Sequence, residues 1–599
     1  MCGIAGWVAL ARAAIDESAL LPMLEALAQR TARESLAALV DRRAGREVVL
    51  GASLCDQAAR ISLALDGGFA NAAELRAELA KRGHAFSRGG DAELLLRAYQ
   101  HWGKDAVKHL AGAFAFAIWD SRKESLLLAR DRFGEKPLHL LERNGALCFA
   151  SEIKALLRVP GFKAAADLDS VRQFLAYRCV PGPRTLFTGI RKLPPASYLL
   201  WQFGRVQEVR YWIPPDRNPA TGRAPADALE GFISSLEAAV DQRAADGVLL
   251  SGGLDSAIIV SLASRKGGAL KTFSFGLEGD PASELPGAAL TAKHFGAAHQ
   301  EIVVKPADLV AGLSAMAAAR GAPCARPSDL AVHRLAAEAS RSAKSVLSGD
   351  GCDEILGGYR RHVAERFAWG FASVPSMLGL LAPLARSASA KTALASLRLG
   401  DWRERYVRWN GALTAAERAR LSPMGQVAAE ARGGSSPPFD ADPRASRLRR
   451  LLYFGQTSAL PDQLLERNDS AAAAVSIEAR LPFLDHRLAE YVSALPDDQR
   501  VRGLATKWIL RRAGKRLIPA TLRMRKAGFR MPVGEWLRNE LRETLVEHLQ
   551  GGASHTRPYY DAVLLDRMVD EHLKGKHNHE IPLWTLLNLE IWHRQHGPA

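Results

Sequence analysis

Two short strings carry residues that could do chemistry. Ser251-Gly252-Gly253-Leu254-Asp255-Ser256 follows the apolar run Val248-Leu249-Leu250 and leads into Ala257-Ile258-Ile259-Val260, which reads as strand, tight turn and helix. Small residues let backbone N–H groups approach phosphate oxygens, and a helix N-terminus adds roughly half a positive charge there. Ser348-Gly349-Asp350-Gly351-Cys352-Asp353-Glu354, after Ser345-Val346-Leu347, repeats that logic. It also supplies Asp353 as a partner for Asp255, and a hard divalent cation on phosphates takes one or two carboxylates plus substrate oxygens. Either string alone is compatible with an ordinary glycine-rich turn; the pair is far more specific. Neither is G-x-x-x-x-G-K-[ST] or G-x-G-x-x-G, which argues against a P-loop NTPase and a dinucleotide site.

These strings need a sheet behind them. Apolar runs at Gly247 to Leu250, Lys271 to Phe275, Glu301 to Val304 and Ser345 to Leu347 alternate with Ala-rich helical patterns, as a helix-covered parallel sheet requires. Residues 1–205 read instead as an antiparallel α+β unit, with helical stretches Leu20 to Gln29 and Asn71 to Arg82 and strands Phe114 to Trp119 and Ser125 to Arg130. Residues 206–226, rich in Pro, Arg, Asp and Gly from Ile213 to Ala226, are assigned as a linker, and 227–599 as a second domain with a helical C-terminal part. Gly433-Gly434-Ser435-Ser436-Pro437-Pro438 reads as a surface loop, and no internal repeat is evident.

Composition sets outer limits. The chain has 599 residues, 48% hydrophobic and 24% charged, and that length implies about two to four domains. No run approaches the roughly 18 apolar residues of a membrane span, and the N-terminus lacks a basic signal-peptide start. Cys2, Cys55, Cys148, Cys179, Cys324 and Cys352 show no metal-ligand or disulfide spacing, so a reducing cytoplasm is expected. The net charge of +16 would suit a polyanion, but no nucleic-acid motif accompanies it. Arg500 to Arg530 holds many basic residues and no acidic one; most read as a solvated face, a few as a wall toward polyphosphate.

Further strings in the right order give the chain a close resemblance to the glutamine-dependent asparagine synthetases of the B type, over almost its whole length. They are Met1-Cys2-Gly3-Ile4-Ala5-Gly6, Ala129 to Leu138, Phe149 to Leu156, Val180 to Pro195, the two phosphate strings, Ser476 to Leu488, Thr506 to Ala513 and Arg525 to Pro532. The resemblance implies an N-terminal-nucleophile fold of the class II glutaminase type, followed by an ATP pyrophosphatase-type doubly wound parallel sheet. It implies a ligase that uses ATP and Mg²⁺ to adenylate a carboxylate and passes the acyl group to an amine. Carried over, Leu249 and Phe275 flank adenine; Ser251, Gly252, Gly253, Leu254, Asp255 and Ser256 hold pyrophosphate; Ser348 and Gly349 touch the nucleotide. Asp255 and Asp353 bind Mg²⁺, Asp350 serves acyl-adenylate formation, and Lys507 stabilises charge on the leaving phosphates. Arg326 and Glu478 fall on the substrate side.

In the front domain the chain departs from the family. Cys2 matches the glutaminase nucleophile, but the family's R-G-P-D reads Arg30-Thr31-Ala32-Arg33, and N-G-E-I-Y-N reads Asp66-Gly67-Gly68-Phe69-Ala70-Asn71. The arginine expected after Gly51 is lost within Ala52-Ser53-Leu54. Asp66 and Gly67 stand where an oxyanion hole is needed, and Asp91 matches the residue that holds the glutamine amine. An ionised carboxylate only accepts hydrogen bonds, so a degenerate glutaminase is expected. Relatives that lost this activity include β-lactam-forming synthetases and lasso peptide cyclases. The leading expectation is therefore isopeptide (macrolactam) formation on a peptide, with a precursor peptide and its processing protease as partners. The alternative is asparagine synthesis from aspartate, using glutamine or ammonia. A non-catalytic ATP-binding scaffold is the third reading. A homodimer is compatible with all three; nucleic acid and membrane partners are not expected.

Overall fold

The computed structural model describes residues 3–10, 17–27, 29–30, 37–43, 46–52, 54–56, 60–87, 89–143, 145–219, 226–371, 388–422, 441–522 and 531–597. In chain order the strands are β1 (Ala5–Leu10), β2 (Ala37–Arg43), β3 (Arg46–Ala52), β4 (Leu54–Asp56), β5 (Ile61–Phe69), β6 (Gly112–Asp120), β7 (Ser125–Arg130), β8 (His139–Arg143), β9 (Ala146–Ala150), β10 (Ile190–Lys192), β11 (Ser197–Gln202), β12 (Arg205–Arg210), β13 (Gly247–Leu249), β14 (Lys271–Leu277), β15 (Ala298–Val304), β16 (Ser345–Leu347) and β17 (Glu478–Arg480).

The front half is two antiparallel sheets, ordered β10-β8-β9-β1-β3-β2 and β12-β11-β7-β6-β5-β4. The inner strands β6 and β7 are apolar on both faces because both faces are covered, whereas the edge strand β12 is polar and exposed. Along β6, Ala115, Ala117 and Trp119 meet the other sheet's Val8, Leu50 and Phe149. Phe114, Phe116 and Ile118 point outward against Leu75, Leu79 and Leu95 of the helices Ala72–Lys81 and Gly90–Trp102, as the two-residue period of a strand demands. The helix expected over Leu20 to Gln29 forms only as Leu20–Glu25.

The linker boundary differs from the compositional one. Residues 206–210 are part of β12, paired with β11 from Ser197↔Arg210 to Gln202↔Arg205. The following turn, Pro215–Arg217, is anchored: Asp216 is fully buried and pairs with Arg500 at 2.7 Å and Arg449 at 3.3 Å. Arg500, grouped by composition with a solvated basic face, is itself fully buried. The loop at Gly433 to Pro438 lies outside the described residues.

The rear half is built on a parallel sheet ordered β15-β14-β13-β16-β17. Val248 and Leu250 face helices Ala228–Gln242 and Leu254–Ala263, while Phe273 and Phe275 face the other layer, with Leu330 and Ala331. The chain leaves β13 for β14 and β15 on one side and returns to β16 on the other. A crevice therefore opens beyond the carboxyl ends of β13 and β16, where such sheets bind ligands.

Candidate active site

Both phosphate strings sit at that crevice. The turn after β13 is braced by its serines: the Ser251 N–H donates to Ser256 Oγ at 3.1 Å, and the Gly253 N–H to Ser251 Oγ at 3.2 Å. A Cβ on Gly252 would lie 2.9 Å from the Glu284 backbone oxygen, so glycine is needed for the close approach. The second loop turns at Gly351, φ 87°, where an added Cβ would meet Leu484 at 2.4 Å. The two loops nearly touch, since a Cβ on Gly349 would stand 3.3 Å from Asp255 Cβ.

Between them lies a cavity of about 470 Å³. Leu249 and Phe275 line it, with Ser251, Gly252, Asp255, Ser256, Ser348, Gly349, Asp350, Asp353 and Arg326. Leu254 does not; its side chain packs against Gly514, whose added Cβ would be 2.6 Å from Leu254 Cδ1. Glu478 is a correction to the substrate-side assignment. Its neighbours Ile477 and Ala479 line the cavity, so the alternation of β17 turns Glu478 elsewhere, onto Arg480 at 2.8 Å.

Lys507 lies at the head of helix Trp508–Leu517 with φ 52°. Its Nζ is 2.6 Å from Asp255 Oδ2 and 2.6 Å from Asp353 Oδ1. Burial opposes its charge, but Cys352, Asp255 and Asp353 outweigh it and hold the ammonium pKa well above the lysine range. The stem passes over Gly358, where a Cβ would fall 2.2 Å from Lys507 Cε and 1.7 Å from Asp353 Oδ1. Two carboxylates converging on one cation also fit a divalent ion on phosphate. Among the described residues no cluster of three or more His, Cys, Asp or Glu could hold a metal; a divalent ion at Asp255 and Asp353 would take its other ligands from phosphate oxygens and water.

Asp350 is held by three neighbours. Ser348 Oγ and Asn468 Nδ2 each donate to its Oδ2 at 2.8 Å, and Arg467 stands 3.6 Å from Oδ1. Glu354 lines the same cavity, accepts from the Tyr359 hydroxyl at 2.5 Å, and is pushed up by burial and then by Asp353. The sequence strings do not include Asn468, Arg467 or Tyr359, and they include Glu354 without giving it a role. The available signal was the polar triplet Arg467-Asn468-Asp469 between Leu464-Leu465 and the alanine run from Ala471 to Ala474.

The front-domain residues assemble differently. Asp66 is fully buried, 3.1 Å from Arg30 Nη1, and accepts from Ser151 Oγ at 3.0 Å. Arg30 also contacts Glu152 and Asp469, and Lys136 lies 2.9 Å from Asp469 and 3.8 Å from Asp66. Asp66 is thus tied into an ionic lattice. Gly67, φ 98°, abuts the Ala113 carbonyl. Asp91 accepts from the Phe69 N–H at 2.9 Å, and burial raises its pKa. Cys2, Thr31 to Arg33 and Ser53 lie outside the described residues.

Residues 230–594 match the family profile described as asparagine synthase, and residues 1–212 that described as glutamine amidotransferase domain. A putative glutamine-hydrolyzing asparagine synthetase of Mycobacterium tuberculosis is 32% identical over 554 residues, covering 89% of this chain and 84% of its own. Glutamine-hydrolyzing asparagine synthetase 3 of Bacillus subtilis is 27% identical over 633 residues, covering 96% of this chain and 98% of its own.

Proposed function

Because the chain belongs to the asparagine synthase family, we propose that it adenylates the side-chain carboxylate of a small amino acid, aspartate first among them, and transfers the acyl group to ammonia taken from solution. The chemistry of the family is that of this chain: ATP-dependent carbon–nitrogen ligation with release of AMP and pyrophosphate. The observation that carries the finer reading is the state of Asp66. Fully buried and bound by Arg30, it offers an acceptor where glutamine hydrolysis needs a donor. The relatives' names, glutamine-hydrolyzing asparagine synthetase, support an asparagine product; the choice of ammonia over glutamine departs from those names and rests on Asp66.

Adenine would lie between Leu249 and Phe275, with the phosphates over the Ser251 turn and the N-terminus of helix Leu254–Ala263. A carboxylate oxygen attacks the α-phosphorus and pyrophosphate leaves; the amine nitrogen then attacks the acyl carbon and AMP leaves. A divalent cation held by Asp255 and Asp353 would neutralise the departing pyrophosphate. Lys507 is a fixed cation at the same place, set to meet charge that grows as each bond breaks. Arg326, whose Nη2 donates to Gln463 at 2.6 Å, lines the cavity and can meet a substrate carboxylate.

A second reading is ligation within a peptide, of the lasso type. It is favoured by the small side chains Ala331, Ala336, Ala471, Ala472 and Ala479 on the cavity wall, which leave room for a bulkier acyl chain. The test is to incubate the protein with MgATP, aspartate and either ammonium or glutamine, and to measure AMP, pyrophosphate, asparagine and glutamate. Asparagine from ammonium with AMP, and no glutamate, is expected. AMP formed only with an acidic peptide would move the assignment to the second reading. Glutamate release lost in Cys2→Ala would overturn the ammonia assignment, and ADP would overturn both readings.

A further inference from the structure

One helical segment is gripped from both halves of the molecule. It begins as a π-helix, Gly455–Leu465, and continues as the α-helix Glu466–Ala473. Three carboxylates along it, Asp462, Glu466 and Asp469, meet buried cations of the front domain. Lys192 is 3.0 Å from Asp462 and 3.0 Å from Glu466, and Lys136 is 2.9 Å from Asp469, which Arg30 also contacts. Burial alone would raise the Asp469 pKa; Arg30 and Lys136 outweigh it and pull it down to about 2. The segment's other side carries Arg467 and Asn468 into the ATP cavity, where Asn468 donates to Asp350 at 2.8 Å.

We infer that Asp469 is a positioning residue for Asp350, and that through it the front domain sets the geometry of the acyl-transfer site. Asp469 is the residue next to Asn468, so the register that Arg30 and Lys136 impose on one fixes where the other's amide lands. The lattice is continuous: Arg30 bridges Asp66, Glu152 and Asp469, and Lys154 stands 2.7 Å from Glu152. Removing Arg30 leaves Lys136 as the cation shared by Asp469 and Asp66, and a buried carboxylate short of counter-charge is costly enough to shift the segment that carries it. The phosphate turn, braced by its own serines, does not depend on that lattice. The front domain is on this account part of the adenylation apparatus whether or not it hydrolyses glutamine.

This inference rests on the ligase reading, and its test separates the two. Arg30→Met, Arg30→Lys and Asp469→Asn are made in the full-length chain. MgATP affinity is measured by calorimetry, AMP formation with aspartate and ammonium by product assay, and amide hydrogen exchange over residues 348–356 and 463–473 by mass spectrometry. Arg30→Met and Asp469→Asn are expected to keep the MgATP dissociation constant within about twofold, to lose about 10- to 100-fold in AMP formation, and to exchange faster in both segments. Arg30→Lys is expected to recover part of the rate. Unchanged exchange in both segments overturns the inference, and so does loss of MgATP binding in step with rate. A wild-type enzyme that forms no AMP refutes the ligase reading alone, since exchange still decides the coupling.

Discussion

Lys507 and Gly358 act as one device. The lysine backbone sits in the left-handed region at φ 52°, and its ammonium is drawn between Asp255 and Asp353 at 2.6 Å from each. Lys507→Ala is expected to bind MgATP nearly as the parent does and to turn over about 10³-fold more slowly. The reason is that a cation aimed at developing charge affects rate more than ground-state affinity. Calorimetry beside turnover tests this; equal losses in both would make Lys507 a binding residue only. Gly358→Ala places a methyl 2.2 Å from Lys507 Cε, and a displaced ammonium should cost at least about 100-fold in rate with the fold retained by circular dichroism. A fully active Gly358→Ala enzyme would show that the lysine need not pass there.

At the scale of elements, the turn Pro215–Arg217 is the informative case. Composition marks it as linker, yet Asp216 pairs with Arg500 and Arg449 in the interior, with Asp497 as the second counter-charge, and Gln456 also donates to it at 2.9 Å. Asp216→Ala leaves two guanidinium groups buried without their main counter-charge, so urea unfolding should show a loss of about 3–5 kcal/mol. A loss under about 1 kcal/mol would mean that water reaches the arginines. The parallel strands show the opposite relation. Ser345–Leu347 forms with the bounds its apolar run indicates, whereas the run Lys271 to Phe275 extends to Leu277 and the run Glu301 to Val304 begins at Ala298, because the two strands pair with each other from Lys271↔Ala298 to Leu277↔Val304.

Across the whole molecule, pH dependence follows from histidines that are buried neutral. Burial holds His139 down to about 4, against Glu466 and with Lys192 and Arg130 adding to it. His486 is likewise lowered to about 4, by burial and then Arg132. Unfolded, each titrates near about 6.5. The unfolded chain therefore takes up protons first, and stability present above about 6.5 is lost progressively as pH falls toward about 4. His139 alone should account for about 2 kcal/mol between pH 7 and pH 5 at about 1.4 kcal/mol per pH unit. Urea midpoints at the two pH values should differ, and His139→Asn should narrow the difference. Equal slopes in parent and variant would show that His139 titrates in the fold as it does in the unfolded chain.

The sequence by itself determined the local form of the two loops. Ser251 to Ser256 and Ser348 to Glu354 are local strand–turn–helix motifs, whose tight turns depend on glycines and serines a few residues apart. Family membership was legible for the same reason, in strings that each fold locally. The tertiary structure decided what lies opposite those loops. Asn468 reaches Asp350 across 118 residues, and Lys507 reaches Asp255 across 252. Arg30 meets Asp469 across 439. Glu478 was assigned toward substrate by its string and turned away by strand alternation. Asp66 was read as a lost donor, and only packing revealed the lattice that holds it. Long-range ion pairs leave no periodicity in a sequence, because their partners are chosen by the fold and by the cost of burying a charge alone.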